Sequence, residues 1–202
     1  MPARRRLSRS VTPLVAWVVL AAAAAAAVAQ AAPAPVRIDN FGQISTTYYR
    51  GSQPQGRDYA DLAAMGIKTV INLTSDDAEA NEEAMVTQAG MRYAQFPMTT
   101  HRAPTSDQIA RFLKLVNDPA AQPVYVHCVG GKHRTGVMTA IYRMTNEGWN
   151  SDRAFSEMKQ YQFGADFLHS EFKQFVYGYP AELARTAALA PNAVKADATT
   201  VK

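Results

Sequence analysis

The chain has 202 residues, of which 48% are hydrophobic and 19% are charged, so it suits one globular domain with a buried core. Its formal net charge is +4, but residues 1–29 contain four arginines and no acidic residue. Without that segment, 17 of the 21 basic residues face 17 acidic ones, which excludes a broad basic surface for nucleic acid.

The first 29 residues have the pattern of a secretory signal peptide. The four arginines precede an apolar run from Val11 to Ala29, and small residues then allow cleavage after Ala29 or Ala31. The alternative is an uncleaved membrane anchor, because the run is about long enough to span a bilayer. We therefore expect a periplasmic or secreted protein, which contacts a membrane only if its N-terminal helix is not cleaved.

One compact domain is expected over residues 37–190, between a linker at 30–36 and a disordered tail at 191–202 that lacks large apolar residues. Inside the domain, helix-like and strand-like segments alternate, and Thr105 with Gln108 fits a capping box. Helices are predicted at Asp58–Met65, Ala78–Ala89, Thr105–Val116, Thr135–Glu147 and Ser151–Tyr161, with one or two more between Asp166 and Ala188. Strands are predicted at Ile67–Leu73, Met91–Phe96 and Val124–Val126.

This alternation predicts an α/β fold: a single domain with a mainly parallel central sheet flanked by helices. In such sheets, ligands bind beyond the carboxyl ends of the strands. The stretch VHCVGGKHRTG, Val126 to Gly136, lies at that edge because it follows the Val124–Val126 strand and opens the next helix. It contains Cys128, the only cysteine of the chain, which therefore has no partner for an internal disulfide.

The stretch suits a phosphate group. Backbone amides at a helix N-terminus form an anion site, and the two glycines permit the backbone angles that a tight loop needs. The Arg134 guanidinium can hold two phosphate oxygens. The same positive field favours the thiolate form of Cys128, a candidate nucleophile. The predicted phosphate-binding residues are Val129, Gly130, Gly131, Lys132, His133 and Arg134.

The predicted reaction needs no metal or cofactor. The Cys128 thiolate displaces an alcohol or phenol from phosphorus, and water hydrolyses the resulting phosphocysteine. A zinc site at His127, Cys128 and His133 lacks a second ligand cluster, and a nucleotide-binding P-loop would need a Gly-x4-Gly-Lys-Ser/Thr sequence that the chain lacks. The same residues also suit a buried structural cysteine, a rhodanese-like sulfurtransferase or a module that binds phosphate without turnover.

From His127 to Gly136, the sequence resembles the signature His-Cys-x5-Arg-Thr/Ser of the cysteine-dependent protein tyrosine phosphatase superfamily. The ending GKHRTG resembles small dual-specificity-like phosphatases, both bacterial and of the atypical plant and fungal group. YYRGSQP at Tyr48–Pro54 and GIKTVINL at Gly66–Leu73 extend the resemblance over roughly residues 37–178.

This resemblance implies a protein tyrosine or dual-specificity phosphatase. Its partner would be a phosphorylated protein or a small phosphorylated metabolite, and an inositol polyphosphate or phosphoinositide is the alternative substrate. Lys132 and His133 could meet extra phosphates of such a substrate, or they could point to solvent. By the same resemblance, His127 orients the loop and tunes Cys128, and the Thr135 hydroxyl supports the thiolate as leaving group.

Members of this superfamily usually carry an aspartate as general acid on the loop that here spans Phe96–Gln108, but no aspartate stands at the usual distance ahead of Pro104. His101 is one candidate, since histidine titrates near neutral pH. Each candidate also has a structural explanation, as an exposed loop residue, a first-turn acid or a turn residue. The four candidates are His101, Asp107, Asp76 and Asp77.

Overall fold

The computed structural model describes residues 36–75 and 78–197, and of residues 181 and 185–197 it describes the backbone alone. The predicted signal peptide and residues 30–35 of the predicted linker lie outside this part of the chain. Within it, no helix is both long enough and apolar enough to cross a membrane.

Five strands form one sheet among the described residues: β1 (Gly42–Gln43), β2 (Tyr48–Gly51), β3 (Thr69–Asn72), β4 (Arg92–Gln95) and β5 (Val124–His127). Their order in the sheet is β1-β2-β5-β3-β4. β2, β5, β3 and β4 run parallel, and β1 pairs antiparallel with β2 at the edge. The predicted mainly parallel sheet is therefore confirmed.

Six helices lie among the described residues. The Thr105 side chain accepts a hydrogen bond from the Gln108 amide, and the Gln108 side chain accepts one from the Thr105 amide, which confirms the capping box. The last helix includes residues 191–197, where the sequence predicted disorder. The helices are α1 (Asp58–Ala64), α2 (Glu82–Gln88), α3 (Ser106–Val116), α4 (Arg134–Asn146), α5 (Ser151–Gln160) and α6 (Ser170–Asp197).

The helices cover both faces of the sheet. Alternate residues of β5 point to opposite faces, as the pleat of a strand requires. Val124 and Val126 pack into a cluster with residues of α3, α4, α5 and α6, whereas Tyr125 packs with residues of α1 and α2. β5 is buried along its whole length, so the chain leaves its carboxyl end between the two layers of helices.

Candidate active site

Cys128 directly follows β5, and the cysteine loop (residues 128–133) joins that strand to α4. The last residue of β5, His127, is in register with Gly51 of β2 and Asn72 of β3. The thiol is almost fully buried, with 3% of the residue exposed. The chain therefore places its only cysteine at the edge of the sheet where the sequence predicted the site.

The backbone of the cysteine loop is held from outside by three donors. The carbonyls of residues 129–131 accept, in order, from the Gln53 amide at 3.0 Å, Asn40 Nδ2 at 2.8 Å and the Arg50 guanidinium. In a trans peptide the carbonyl and the following N–H point in opposite directions. The amides of residues 130–132 therefore turn toward the inside of the loop, which is the arrangement of an anion cradle.

Both the φ angle and the lack of room for a Cβ atom require glycine at position 131. Its φ of +64° lies in the left-handed region, which glycine adopts without strain. A Cβ at this position would lie 2.5 Å from the carbonyl carbon and oxygen of Gly51. The cysteine loop is thus pressed against the end of β2.

Arg50 is a fully buried cation behind the cysteine loop. Its guanidinium donates to the Gly131 carbonyl and stacks on the ring of Tyr161, 4.0 Å from the ring centroid. Burial lowers the pKa of Arg50 from its usual value, but an arginine side chain stays charged in proteins. Arg50 lies in the YYRGSQP segment, but its sequence context does not mark it as a site residue.

The opening of α4 supplies two more buried groups. Arg134 begins the helix, is 3% exposed, and donates from Nη1 to the Met98 carbonyl at 3.1 Å. Thr135 is fully buried, and its hydroxyl has no hydrogen-bond partner among the described residues. A buried hydroxyl without a partner costs free energy. We therefore expect the Thr135 hydroxyl to bond to the substrate or to the thiol.

A buried carboxylate lies beside His127. Glu82 Oε1 is 2.9 Å from the His127 Nε2, at ion-pair distance but outside hydrogen-bond geometry, and both side chains are fully buried. The same carboxylate accepts from Gln53 Nε2 at 2.7 Å and from Asn72 Nδ2. From the sequence alone, Glu82 looks like an ordinary acid in the first helical turn of α2, and nothing marks it as a site residue.

His133 is turned away from the inside of the cysteine loop. Its Nε2 lies 3.0 Å from the Phe163 carbonyl oxygen, and its ring centroid is 3.7 Å from that of His169. Burial, and after it the charge of His169, lower the pKa of His133 from its usual value. His169 in turn lies 3.2 Å from the Thr100 carbonyl oxygen, so this pair links the cysteine loop to the segment around residue 100.

The candidates for the general acid have different positions. His101 is exposed, and its ring stacks 6.3 Å from that of His169. Asp107 is also exposed and pairs with Arg111 of the same helix at 3.0 Å. Asp76 and Asp77 lie outside the described residues. Of the two described candidates, His101 is therefore the one that the structure links to the cysteine loop, through His169.

A cleft of about 500 Å³ opens beside the cysteine loop. Val129, Gly130 and Lys132 form one side of it. Within residues 36–75 and 78–197, no group of three or more histidines, cysteines or acids could hold a metal ion. The zinc alternative therefore finds no ligand set in this part of the chain. The remaining lining residues are all polar: Asp39, Asn40, Ser52, Gln53, Gln55, Glu79 and Gln162.

Comparison with known proteins finds relatives that are named as phosphatases. The dual specificity protein phosphatase TpbA of Pseudomonas aeruginosa (strain UCBPP-PA14) is 29% identical over 139 residues, which are 69% of this chain and 62% of that protein. The chain thus spans less than two thirds of the length of this relative. The "Inositol diphosphatase SIW14" of Saccharomyces cerevisiae is 25% identical over 130 residues, which are 62% of this chain and 46% of that protein.

Solved structures agree with these relatives. The core catalytic domain of the PP-IP phosphatase SIW14 from S. cerevisiae matches with a TM-score of 0.63 and 25% identity, over 75% of this chain and 92% of that one. P. aeruginosa TpbA in complex with phosphotyrosine matches with a TM-score of 0.59 and 28% identity, over 69% and 83%. The family described as "DSP-PTPase phosphatase fused to NAD+ Kinase" matches residues 33–175. That match covers well over half of the sequence, so the chain belongs to this family of cysteine-dependent, dual-specificity-type phosphatases.

Proposed function

We propose that this protein is a metal-independent phosphatase that hydrolyses phosphate monoesters through a phosphocysteine on Cys128. One observation carries the proposal: the only thiol of the chain starts a loop whose amides turn inward at the N-terminus of a helix. Arg134, at the first position of that helix, adds a buried guanidinium. Together they offer a nucleophile and donors for the charge that develops on phosphorus oxygens.

The reaction proceeds in two displacements. In the first, the Cys128 sulfur forms a bond to phosphorus while the bond to the ester oxygen breaks, and that oxygen leaves with a proton from a general acid. In the second, the conjugate base of that acid takes a proton from a water molecule, the water oxygen bonds to phosphorus, the sulfur–phosphorus bond breaks, and phosphate departs as the thiolate is restored. The loop amides and Arg134 stabilise the equatorial oxygens in both steps. The Thr135 hydroxyl supports the departing thiolate.

His101 is our candidate for the general acid among the described residues. It lies on the loop that precedes α3, and stacking on His169 connects it to His133 of the cysteine loop. Asp107 is the weaker candidate because its carboxylate is paired with Arg111. Asp76 and Asp77 follow β3 in sequence and stay candidates on that ground alone.

Phosphorylated proteins are the substrates that we favour. The relatives named as protein phosphatases, and the TpbA structure with phosphotyrosine, support this class. A small phosphorylated metabolite is the second candidate, because SIW14 is named an inositol diphosphatase. The geometry favours the first class, since the His133 ring faces Phe163 and His169 and leaves Lys132 as the one cation on the described lining of the cleft.

We also propose that the protein is exported, to the periplasm or beyond, with residues 1–29 acting as the signal. The pattern of four arginines, an apolar run and small residues supports this location.

The test of the activity uses the purified chain without residues 1–29 and p-nitrophenyl phosphate as substrate. We expect turnover that survives EDTA and stops with vanadate, and that falls by more than about a thousandfold in Cys128→Ser, as for the loss of other catalytic nucleophiles. Full activity in Cys128→Ser would exclude the phosphocysteine mechanism. Phosphate binding without turnover in the unsubstituted chain would favour the binding module, and thiosulfate-dependent sulfur transfer would favour the sulfurtransferase.

A further inference from the structure

The cleft beside the cysteine loop can hold the part of the substrate that carries the phosphate group. Its volume of about 500 Å³ exceeds what a phosphate group fills, and Val129, Gly130 and Lys132 connect it to the loop. Groups on the substrate that extend past Val129, Gly130 and Lys132 would meet this lining. The chemistry of the lining indicates what those groups are.

The charges on the described lining of the cleft are mainly negative. Asp39 and Glu79 contribute two exposed carboxylates, and Lys132 contributes one cation. A neighbouring cleft shares Asp39 and adds Arg37 and Asp58, whose charges cancel. The wall away from the cysteine loop thus carries more negative than positive charge.

Two side-chain amides of the same wall donate inside the protein. Asn40 Nδ2 donates to the Gly130 carbonyl, and Gln53 Nε2 donates to Glu82 and to the hydroxyl of Tyr59. These two NH₂ groups therefore hold the cysteine loop and the carboxylate behind it. This lining offers carboxylate acceptors to a ligand more readily than it offers cations.

We propose that the cleft selects phosphoprotein segments that carry lysine or arginine beside the phosphorylated residue. The cysteine loop binds the phosphate, and Asp39 and Glu79 pair with the neighbouring cationic side chains. A polyphosphorylated ring is disfavoured, because its additional phosphates would face the two carboxylates at short range. This assignment rests on the proposed phosphatase activity and names its substrate class.

The experiment compares kcat/KM for three substrates: phosphotyrosine peptides with arginine on both sides, the same peptides with glutamate there, and inositol hexakisphosphate. We expect the arginine peptide to exceed the glutamate peptide by about threefold or more at low salt, since each exposed ion pair contributes a factor of roughly 1.5 to 5. The ratio should fall toward one in the double variant Asp39→Asn with Glu79→Gln. It should also fall at high salt.

Glu147→Gln is the matched control. This exposed acid ends α4 about 20 Å from the cysteine loop, given the rise of a helix, so its loss should leave the peptide ratio unchanged. A ratio of one in the unsubstituted chain, a ratio that the double variant retains, or faster hydrolysis of inositol hexakisphosphate would each overturn the assignment. Because p-nitrophenyl phosphate has no flanking charges, its turnover reports separately on the proposed activity.

Discussion

Glu82 is a fully buried carboxylate beside the candidate active site, and its position needs a functional explanation. Burying a carboxylate costs free energy unless polar partners surround it. Here Gln53, Asn72 and His127 surround it, and His127 immediately precedes the nucleophile. We infer that Glu82 is a positioning residue: it holds the His127 imidazole at the end of β5 and so fixes the start of the cysteine loop at Cys128.

Replacing Glu82 by glutamine tests this role, with the exposed neighbour Glu83→Gln as control. The variant keeps the shape but replaces the carboxylate that holds His127, so we expect kcat for p-nitrophenyl phosphate to fall about tenfold, a loss of roughly 1.4 kcal/mol. KM should change by less than about twofold, because the loop amides and Arg134 still bind the phosphate. Stability should fall by about 1–3 kcal/mol, because the new amide faces the Gln53 and Asn72 donors. A kcat equal to that of Glu83→Gln, or a loss confined to KM, would refute the inference.

The nucleophile and phosphate-binding residues that the sequence predicted lie together in one contiguous stretch. Cys128, Arg134 and the loop between them were readable because a strand, a loop and a helix start follow one another within about ten residues. Arg50, Asn40 and Glu82 reach the same place from distant segments, through the register of β2 beside β5 and the packing of α2. Such contacts depend on tertiary structure, and the spacing of residues along the chain does not encode them.

At the scale of elements, two histidine rings in contact join the cysteine loop to the segment before α6. His133 contacts His169 and the Phe163 carbonyl, while His169 contacts the Thr100 carbonyl and lies 3.5 Å from Glu171. Burial of the imidazole disfavours its charged form, and His169, Lys132 and Arg134 add positive charge near it. A proton on His133 is therefore disfavoured in the folded protein, and the low pKa of this residue is a property of how these elements pack.

The low pKa of His133 predicts how stability depends on pH. The unfolded chain takes up a proton at this position near pH 6.5, before the folded protein does, so stability is lost as the pH falls below about 6.5. Urea midpoints at pH 7.5 and 5.5 measure the loss, and we expect His133→Gln to reduce it. His101→Gln, at an exposed position, serves as the control. An equal loss in His133→Gln and in the unsubstituted chain would contradict the prediction.

Prediction from sequence succeeded best for elements with strong local signals. The capping box placed the start of α3, and β-branched runs located β3 and β5. β2 was not predicted, since its Tyr-Tyr-Arg-Gly sequence contains an arginine whose burial only the folded structure explains. α2 begins at Glu82 rather than at Ala78, although the polar sequence between them is helix-prone. Where tertiary contacts determine the secondary structure, local propensity predicts it poorly.

At the scale of the whole molecule, the net charge of the sequence belongs to its first 29 residues. Acidic and basic residues balance in the rest, so the attraction for phosphate comes from the local amides, Arg50 and Arg134 rather than from an overall positive field. This arrangement agrees with the substrate class proposed above, because a balanced surface with a negative cleft wall does not draw in polyanions. Cleavage of the signal on export would separate residues 1–29, which carry the net charge, from the rest of the chain.

Export predicts a specific product when the whole chain is expressed in a bacterial host. The protein recovered from the periplasm should begin at Gln30 or Ala32 and have lost the net charge of +4, which intact-mass measurement and isoelectric focusing detect. Ala29 is the small residue before the first cleavage site and stands three positions from the cut at the second, so Ala29→Leu should block both. Ala25→Leu, inside the apolar run, should be processed normally. An intact N-terminus on the unsubstituted protein would instead favour the uncleaved membrane anchor.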